Sequence, residues 1–301
     1  MQITLIENFR AVFYAPFYAC AAVGAYKAEG VDVTMRLSEA AEKTLTAGEV
    51  SWGGPLRVMK ALDTNPEGGY VAFCEVVGRD PFFLVGRTPS REFTVKDLPG
   101  KRVAVVSEVP TPWNCLQYDL RRAGIDPATL TLAPARTMAE NAAALRAGEV
   151  DVIQVFQPFA RQLVDSGAGH VWYAAANRGL TTYTTFNTTR AFIEKNPDVA
   201  LRMTRAMYRT LKWIAAHDGR ALAEVISAYL KDVPLPVLAA CCEDYKSLGL
   251  WNTRPVMQRE GLERLRDSML AAGYIKTRLT FEQCVDMRFA EQVVREDPPS
   301  I

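Results

Sequence analysis

The order of the predicted elements constrains the fold most strongly, because strand segments and helical segments alternate twice along the first two thirds of the chain. In the first unit, strands are predicted at 2–7, 31–35, 48–52 and 70–77, and helices at 16–28, 38–46 and 56–62. Parallel strands need a crossover connection, which is usually a helix. The pattern therefore predicts a mostly parallel sheet covered by helices.

The alternation restarts after a predicted turn at 97–101. In this second unit, strands are predicted at 102–106, 129–133 and 150–155, and helices at 138–147 and from Thr111 onward, with Pro112 in the first turn. The remainder is mostly helical: Met203, Met207 and Leu211 share one face of a helix predicted at 197–217. The sequence thus predicts two α/β units and a helical tail.

The connection between the two units is predicted to consist of strands, because no Gly/Ser-rich linker or repeat separates them. We predict the crossings at 81–87 and 183–187. The fold class is then α/β, with one lobe formed by 1–88 plus 189–301 and the other by 89–188. Two lobes joined by a two-strand hinge close on a ligand held between them.

The charge balance excludes several classes of function. Lys plus Arg number 35 and Asp plus Glu number 34, a net charge of +1. Proteins that bind nucleic acid usually carry a basic excess, so nucleic acid is not expected as a partner. No apolar run approaches the roughly 18 residues of a membrane span. The first seven residues lack leader character, which leaves two locations open: cytoplasmic if Met1 is native, periplasmic or lipid-anchored if a leader was removed.

Motifs for nucleotide binding or catalysis are not found in the sequence. It contains no G-x-G-x-x-G, P-loop or G-x-S-x-G pattern. The six cysteines show no C-x-x-C spacing, and His170 and His217 lie far apart. We predict no metal, no cofactor and no catalytic residue. Most cysteines are expected to be buried; the vicinal pair Cys241–Cys242 could oxidise or bind metal, but one thiol turned inward from a helix is the commoner arrangement.

A series of short segments resembles one family in order and spacing over residues 1 to about 275. The segments are Ala-Pro-Phe-Tyr at 15–18, Glu-Gly-Val-Asp-Val at 29–33, Gly-Glu-Val-Ser-Trp-Gly-Gly-Pro at 48–55, Arg-Asp-Pro-Phe at 79–82, Asp-Leu-Pro-Gly-Lys-Arg-Val at 97–103, Leu-Arg-Ala-Gly-Glu-Val-Asp-Val at 145–152, Gln-Pro-Phe at 157–159 and Phe-Ile-Glu-Lys-Asn-Pro at 192–197. Each is weak alone. Together they resemble type II solute-binding proteins of ABC importers, in the branch that binds nitrate, sulfonates and thiamine-pyrimidine precursors.

The resemblance implies a type II periplasmic-binding-protein, or Venus-flytrap, fold with a ligand in the cleft. It also implies an ABC permease as partner and a monomeric protein. Family ligand contacts come from the first strand–helix loop, the Gly-Gly-Pro region, the loop before the helix near 113, and the segment near 157. Here these positions are Asn8, Phe9, Tyr14, Trp52, Gly53, Gly54, Trp113, Asn114 and Gln157, with Tyr183 added from the second hinge strand.

Aromatic residues at predicted strand and loop ends, including Phe13, agree with such a cleft, since aromatic faces stack on flat rings and amides orient them. Phe13 and Phe17 have a core position as their commoner alternative. Trp52 precedes two glycines that let a ligand approach the backbone. Trp113 lies at a helix N-terminus, where free N–H groups can hold an anion or a ring oxygen.

Two departures from the family pattern bear on the ligand. Tyr14 stands where the family often has His, and Gln157 stands where an acidic residue is common. A neutral glutamine suits a neutral ring or a mild anion better than a cationic aminopyrimidine. A sulfonate would need an arginine in the cleft, and we expect Arg10 and Arg57 to be solvated instead.

The leading hypothesis is a binding protein that delivers a small aromatic or heterocyclic molecule, similar to a pyrimidine precursor, to an ABC permease. One alternative is a binder of sulfonate or nitrate. Another is an enzyme on the same fold: a thiamine-pyrimidine synthase, although its pocket histidine and cysteine-rich motif are missing, or a decarboxylase or dehydratase. A cytoplasmic ligand sensor is the third.

Overall fold

The computed structural model describes residues 2–38 and 50–301. One five-stranded sheet, the first sheet, is formed by β1 (Gln2–Glu7), β2 (Asp32–Leu37), β3 (Val50–Gly53), β4 (Tyr70–Val77) and β10 (Thr184–Thr189), in the order β2-β1-β3-β10-β4. Strand β1 pairs in parallel with β2 and β3. The predicted helix at 38–46 and the first residues of the predicted strand at 48–52 lie outside the described residues.

The second sheet also has five strands: β5 (Phe83–Gly86), β6 (Arg102–Ala104), β7 (Thr131–Leu132), β8 (Val152–Val155) and β9 (His170–Ala174), in the order β7-β6-β8-β5-β9. Strand β6 is parallel to β7 and β8, whereas β5 is antiparallel to β8 and β9. The two predicted α/β units are therefore confirmed as two sheets.

Helices cover both sheets and form the tail. The strands of the first unit alternate with α1 (Ala15–Ala22), α2 (Ala25–Ala28) and α3 (Leu56–Thr64), and the second unit contains α4 (Thr111–Arg122), α5 (Met138–Arg146) and α6 (Phe159–Asp165). The tail comprises α7 (Arg190–Lys195), α8 (Pro197–Ala216), α9 (Gly219–Ile226), α10 (Leu235–Ser247), α11 (Arg259–Ala271), α12 (Phe281–Cys284) and α13 (Arg288–Glu296). The helix predicted at 16–28 is divided at Gly24, whose φ of +75° favours glycine.

Strand β10 is the main departure from the predicted topology. It runs antiparallel between β3 and β4, in the middle of the first sheet. Strand β5 likewise lies entirely in the second sheet. The chain therefore crosses between the sheets at 78–82 and 175–183, not within the strands predicted at 81–87 and 183–187. We propose these two segments as the lobe boundaries in place of 88/89 and 188/189.

The two crossing segments are joined to each other by backbone hydrogen bonds. The N–H of Thr181 donates to the carbonyl of Gly78 at 2.9 Å, and the N–H of Ala175 donates to the carbonyl of Phe82 at 2.8 Å. A buried ion network adds to this: Arg178 lies 2.7 Å from Asp80 and 2.7 Å from Asp119 of α4. One cation thus ties both crossings to the second lobe.

The tail also contacts both lobes. The Tyr245 hydroxyl of α10 donates to the carbonyl of Pro81 at 3.1 Å and accepts from the N–H of Gln157 at 3.0 Å. Tyr245 is fully buried. Its hydroxyl therefore links the first crossing segment to the loop that follows β8.

All six cysteines are buried and carry free thiols, whereas the sequence predicts burial for most of them and leaves their redox state open. Burial raises the pKa of Cys20 and of Cys115 to about 12. Cys241 and Cys242 lie in α10, and both are buried, not just one. They are accordingly packing residues of this helix.

Candidate functional site

A cleft opens between the two sheets at the carboxyl ends of several strands, where open α/β sheets bind ligands. It consists of two adjoining cavities. The outer chamber has a volume of about 830 Å³ and is lined by Asn8–Val12 after β1, Ser38 after β2, Arg57, Glu108–Val109, Met138, Phe156–Phe159 after β8 and Tyr229–Val233 of the tail. Both lobes and the tail therefore contribute walls.

The inner chamber is narrower, about 170 Å³. It shares Asn8, Phe9, Arg57, Glu108 and Val109 with the outer chamber, so the two are continuous. Its further lining residues are Tyr14, Gly54, Leu56, Pro110, Thr111, Tyr183 and Tyr274.

Arg57 of α3 is the most informative polar residue of the cleft. It is half-buried, borders both chambers and donates a hydrogen bond to Oδ1 of Asn8. Asn8 in turn donates to the carbonyl of Trp52 at 3.2 Å. Burial lowers the pKa of Arg57, and the hydroxyl groups of Tyr14 and Tyr274 raise it in part. The expectation that Arg57 is solvated is therefore wrong.

Arg10 behaves as expected. Its side chain is 48% exposed at the rim, 3.8 Å from the carboxylate of Glu7. Its Nη1 donates to the carbonyl of Tyr229 at 3.3 Å. Arg10 thus fastens the tail to the first lobe and leaves Arg57 as the arginine that both chambers share.

Gly53 supports Asn8 from behind. A Cβ at this position would lie 2.3 Å from Nδ2 of Asn8 and 3.8 Å from Cδ of Arg57. Gly53 lines neither chamber. The group that approaches its backbone closely is the Asn8 side chain, whereas the sequence predicts a ligand there. Gly54, its neighbour, does line the inner chamber.

The aromatic residues divide into a lining layer and a supporting layer. Phe9, Tyr14 and Tyr183 line the cleft. Phe13 is completely buried behind them, with its ring 5.8 Å from that of Tyr183. Phe13 is therefore a core residue, which was the alternative left open for it.

Trp52 also belongs to the supporting layer and lines neither chamber. It is completely buried, and its ring stacks on Phe17 with a centroid distance of 4.8 Å and an interplanar angle of 17°. Tyr14 lies between Trp52 and the cleft, 6.0 Å from the indole. The aromatic character at 52 predicted a position near the cleft but not which layer it occupies.

The N-terminus of α4 reaches the inner chamber through Thr111. The next predicted site residues do not: Trp113 packs against the apolar cluster of the second lobe, and Asn114 is buried with its Nδ2 3.5 Å from Sδ of Met269. Both side chains therefore lie outside the lining of the two chambers, whereas Thr111 reaches the inner one.

Gln157 borders the outer chamber, but its amide is already engaged on both sides. Its Nε2 donates to Asp244 of α10 at 2.9 Å, and its Oε1 accepts from the N–H of Arg161 at 2.9 Å. The side chain predicted to orient the ligand is thus used to hold α10. Whether Asn8, Phe9, Tyr14, Gly54, Gln157 and Tyr183 contact a ligand stays a prediction.

Several lining residues were not predicted. Phe156 and Phe159 follow β8 at its carboxyl end, and the rule on strand ends would have indicated them. Tyr229–Val233 and Tyr274 come from the helical tail, where no motif marks them. Glu108 lies across from Arg57, and its carboxylate accepts from the N–H of Met138, the first residue of α5, at 2.9 Å. A helix N-terminus favours this negative charge.

The cleft holds few groups for catalysis. Its described lining residues include no histidine and no cysteine. In the same part of the chain, no group of three or more His, Cys, Asp or Glu side chains is placed to hold a metal ion. Of the helices at 2–38 and 50–301, none has the length and apolarity that a membrane crossing requires.

Comparisons with known proteins agree with this architecture. A family model described as the NMT1-like family matches residues 87–227. A Bacillus subtilis (strain 168) protein, YtlA, whose name describes it as a candidate binding protein, is 25% identical over 302 residues; the match covers 98% of this chain and 90% of YtlA.

Solved structures share the whole fold at low identity. The alkanesulfonate-binding protein SsuA from Xanthomonas axonopodis pv. citri, bound to MOPS, has a TM-score of 0.70 and 15% identity, covering 95% of this chain and 98% of SsuA. The desulfurization enzyme DSZB has a TM-score of 0.73 and 14% identity, covering 99% of each chain. These comparisons confirm the fold of periplasmic binding proteins and the resemblance of this chain to the solute-binding protein SsuA and to the NMT1-like family.

Proposed function

We propose that the protein is the solute-binding component of an ABC importer and captures a small organic anion between its lobes by hinge closure. The observation that carries the proposal is the half-buried guanidinium of Arg57 where the two chambers meet. Asn8 holds it in place, and no ion pair joins it to a carboxylate within the described ranges. A cation removed from water in this way favours an anionic ligand.

The lobe opposite Arg57 offers a second anion-binding element. Arg57 lies in α3 of the first lobe, whereas Thr111 begins α4 of the second. The first N–H groups of a helix lack intrahelical acceptors, and the helix dipole favours negative charge there. An anion in the inner chamber would contact both lobes and so stabilise the closed arrangement.

The same charges argue against a cationic aminopyrimidine. Such a ligand needs a carboxylate that is free to pair with it. Gln157 is neutral and already hydrogen-bonded, the charge of Glu108 is met by the N-terminus of α5, and Asp232 is exposed to solvent at the outer chamber instead of facing the inner one. The alternative of a sulfonate or related oxyanion therefore fits better, in line with the sulfonate named as the ligand of SsuA.

An enzymatic role receives less support, although DSZB shares the fold. Hydrolytic chemistry needs a nucleophile with an adjacent base. The described lining residues offer only hydroxyls from Ser38, Thr111 and tyrosines, without a histidine beside them. We further propose a monomer that works outside the cytoplasm with an ABC permease as partner, as its binding-protein relatives suggest.

Calorimetric titration with benzenesulfonate, nitrate and an aminopyrimidine tests the proposal. We expect saturable binding of benzenesulfonate, and Arg57→Met should weaken it about 10- to 100-fold, since a hydrogen-bonded charge contributes roughly 1.5–3 kcal/mol. Arg220→Met controls for the loss of one positive charge, because Arg220 is exposed on α9 and does not line the cleft. Saturable binding of the aminopyrimidine alone, unaffected by Arg57→Met, would refute the proposal.

A further inference from the structure

We propose that the outer chamber makes the site selective for a monoanion with a large apolar body of at least two rings, not for a small oxyanion such as nitrate. This inference rests on the proposed function, because it takes the inner chamber as the place of the anionic group. It assigns the outer chamber, and in particular Phe159 and the tail segment Tyr229–Val233, the role of recognising the rest of the ligand.

The first argument is size. The inner chamber, at about 170 Å³, has room for one charged group and little more. The outer chamber, at about 830 Å³, is nearly five times larger and opens directly from it past Phe9 and Arg57. Sites of several hundred Å³ bury most of the surface of a drug-sized ligand. A small oxyanion would leave this space filled with water and both walls hydrated.

The second argument is the chemistry of the walls. The first lobe and tail contribute Phe9, Leu230 and Val233, and the second lobe contributes Met138 and Phe159. Phe156 stands beside them, its ring 6.2 Å from that of Phe9 and nearly parallel to it at 10°. An apolar ligand body would therefore bury apolar surface of both lobes when the cleft closes, which the hydrophobic effect favours.

The third argument is that the tail wall is anchored. The ring of Tyr229 stacks on Tyr18 at a centroid distance of 5.0 Å and an angle of 17°. Arg10 holds the carbonyl of Tyr229 at 3.3 Å. The segment that carries Leu230 and Val233 is thus fixed to the first lobe. This segment therefore forms a preformed apolar surface against which a rigid ring system can pack.

The fourth argument is charge. The remaining charged groups at the outer chamber are Arg10, which lies beside Glu7, Glu108, which accepts from the N-terminus of α5, and Lys231 and Asp232, which are exposed and opposite in sign. Among the described lining residues, Arg57 is therefore the half-buried cation that no carboxylate pairs with. One negative charge on the ligand satisfies it, so the body beyond that charge should be uncharged.

Titration with methanesulfonate, benzenesulfonate and 2-naphthalenesulfonate tests the inference on the unaltered protein. The charged group is constant in this series and the apolar body grows. We expect the dissociation constant to fall at least tenfold from methanesulfonate to benzenesulfonate and again to naphthalenesulfonate. Equal affinities throughout, or the weakest binding for naphthalenesulfonate, would overturn the inference and leave the proposed function standing.

Phe159→Ala isolates the outer chamber. It should weaken naphthalenesulfonate at least fivefold and leave methanesulfonate within twofold. Val164→Ala is the matched control, because Val164 is 37% exposed on the same helix and does not line the cleft. Equal weakening of all three anions by Phe159→Ala would contradict the assignment. Absence of binding by every anion would overturn the proposed function and, with it, this inference.

Discussion

Glu75 should make the protein less stable as the pH rises from about 4.5 to about 7. This residue of β4 is 2% exposed, and burial raises the pKa of its carboxyl to about 7 from an ordinary value of 4.5. Asn252 donates to its Oε2 at 2.8 Å. The folded state therefore keeps a proton on Glu75 over a range in which the unfolded chain has lost it.

The sign and size of the effect follow from proton linkage. Stability from a raised carboxyl pKa is fully present below pH 4.5 and is lost as the pH rises to about 7. At 1.36 kcal/mol per pKa unit, the whole effect is about 3 kcal/mol. With an unfolding entropy of about 2.1 cal/mol/K per residue, this corresponds to roughly 5 °C in the Tm of a chain of 301 residues.

The assay is urea unfolding of the wild type and of Glu75→Gln at several values between pH 5 and pH 8, followed by fluorescence and circular dichroism together. The glutamine keeps an oxygen for Asn252 and cannot ionise. We expect the wild type to lose about 2.5 kcal/mol relative to Glu75→Gln over this range, because part of the effect is already lost at pH 5. Glu224→Gln, an exposed carboxylate on α9, controls for the general loss of charge. Parallel pH profiles of wild type and Glu75→Gln would refute the reasoning.

Two further predictions concern the links between the lobes. Arg178→Met should lower the free energy of unfolding by about 3–5 kcal/mol, because it leaves the fully buried Asp80 without its cation. Thermal melts should show this loss, and adding Asp80→Asn to the same variant should restore part of it. The control Arg122→Met, at an exposed position, should have little effect. Tyr245→Phe should lower the free energy of unfolding by about 1–3 kcal/mol, because the carbonyl of Pro81 and the N–H of Gln157 lose their buried partner. Urea unfolding measures this difference, and a change below about 0.5 kcal/mol would contradict the prediction.

Much of the fold could be predicted because most strands and helices carry a local hydrophobic pattern in the sequence. Strands at 2–7, 70–77 and 150–155 were marked by alternation or by apolar runs. The place of β10 could not be predicted in this way. Its insertion between β3 and β4 joins residues more than 100 positions apart in the chain, and no local periodicity encodes such a pairing.

The candidate site was predictable by region but not by side chain. The loops after β1, before α4 and after β8 all reach the cleft, as the resemblance implies. Which side chain faces the cleft depends on rotation within each element: Trp52 lies in the core, Trp113 packs half-buried against the second-lobe cluster, and Arg57 borders the cleft. The role of the tail segment Tyr229–Val233 could not be predicted from local sequence patterns, since packing of α9 and α10 brings this segment to the site.

The buried state of the cysteines has a practical consequence for watching the lobes move. Because all six native thiols are inaccessible, a cysteine introduced at an exposed position on each rim would be the reactive one, and no native cysteine would have to be replaced. Asp232 in the tail wall and Ala135, three residues before Met138 of the opposite wall, are exposed positions. Fluorescent dyes attached there would convert opening and closing into a distance signal that can be followed one molecule at a time.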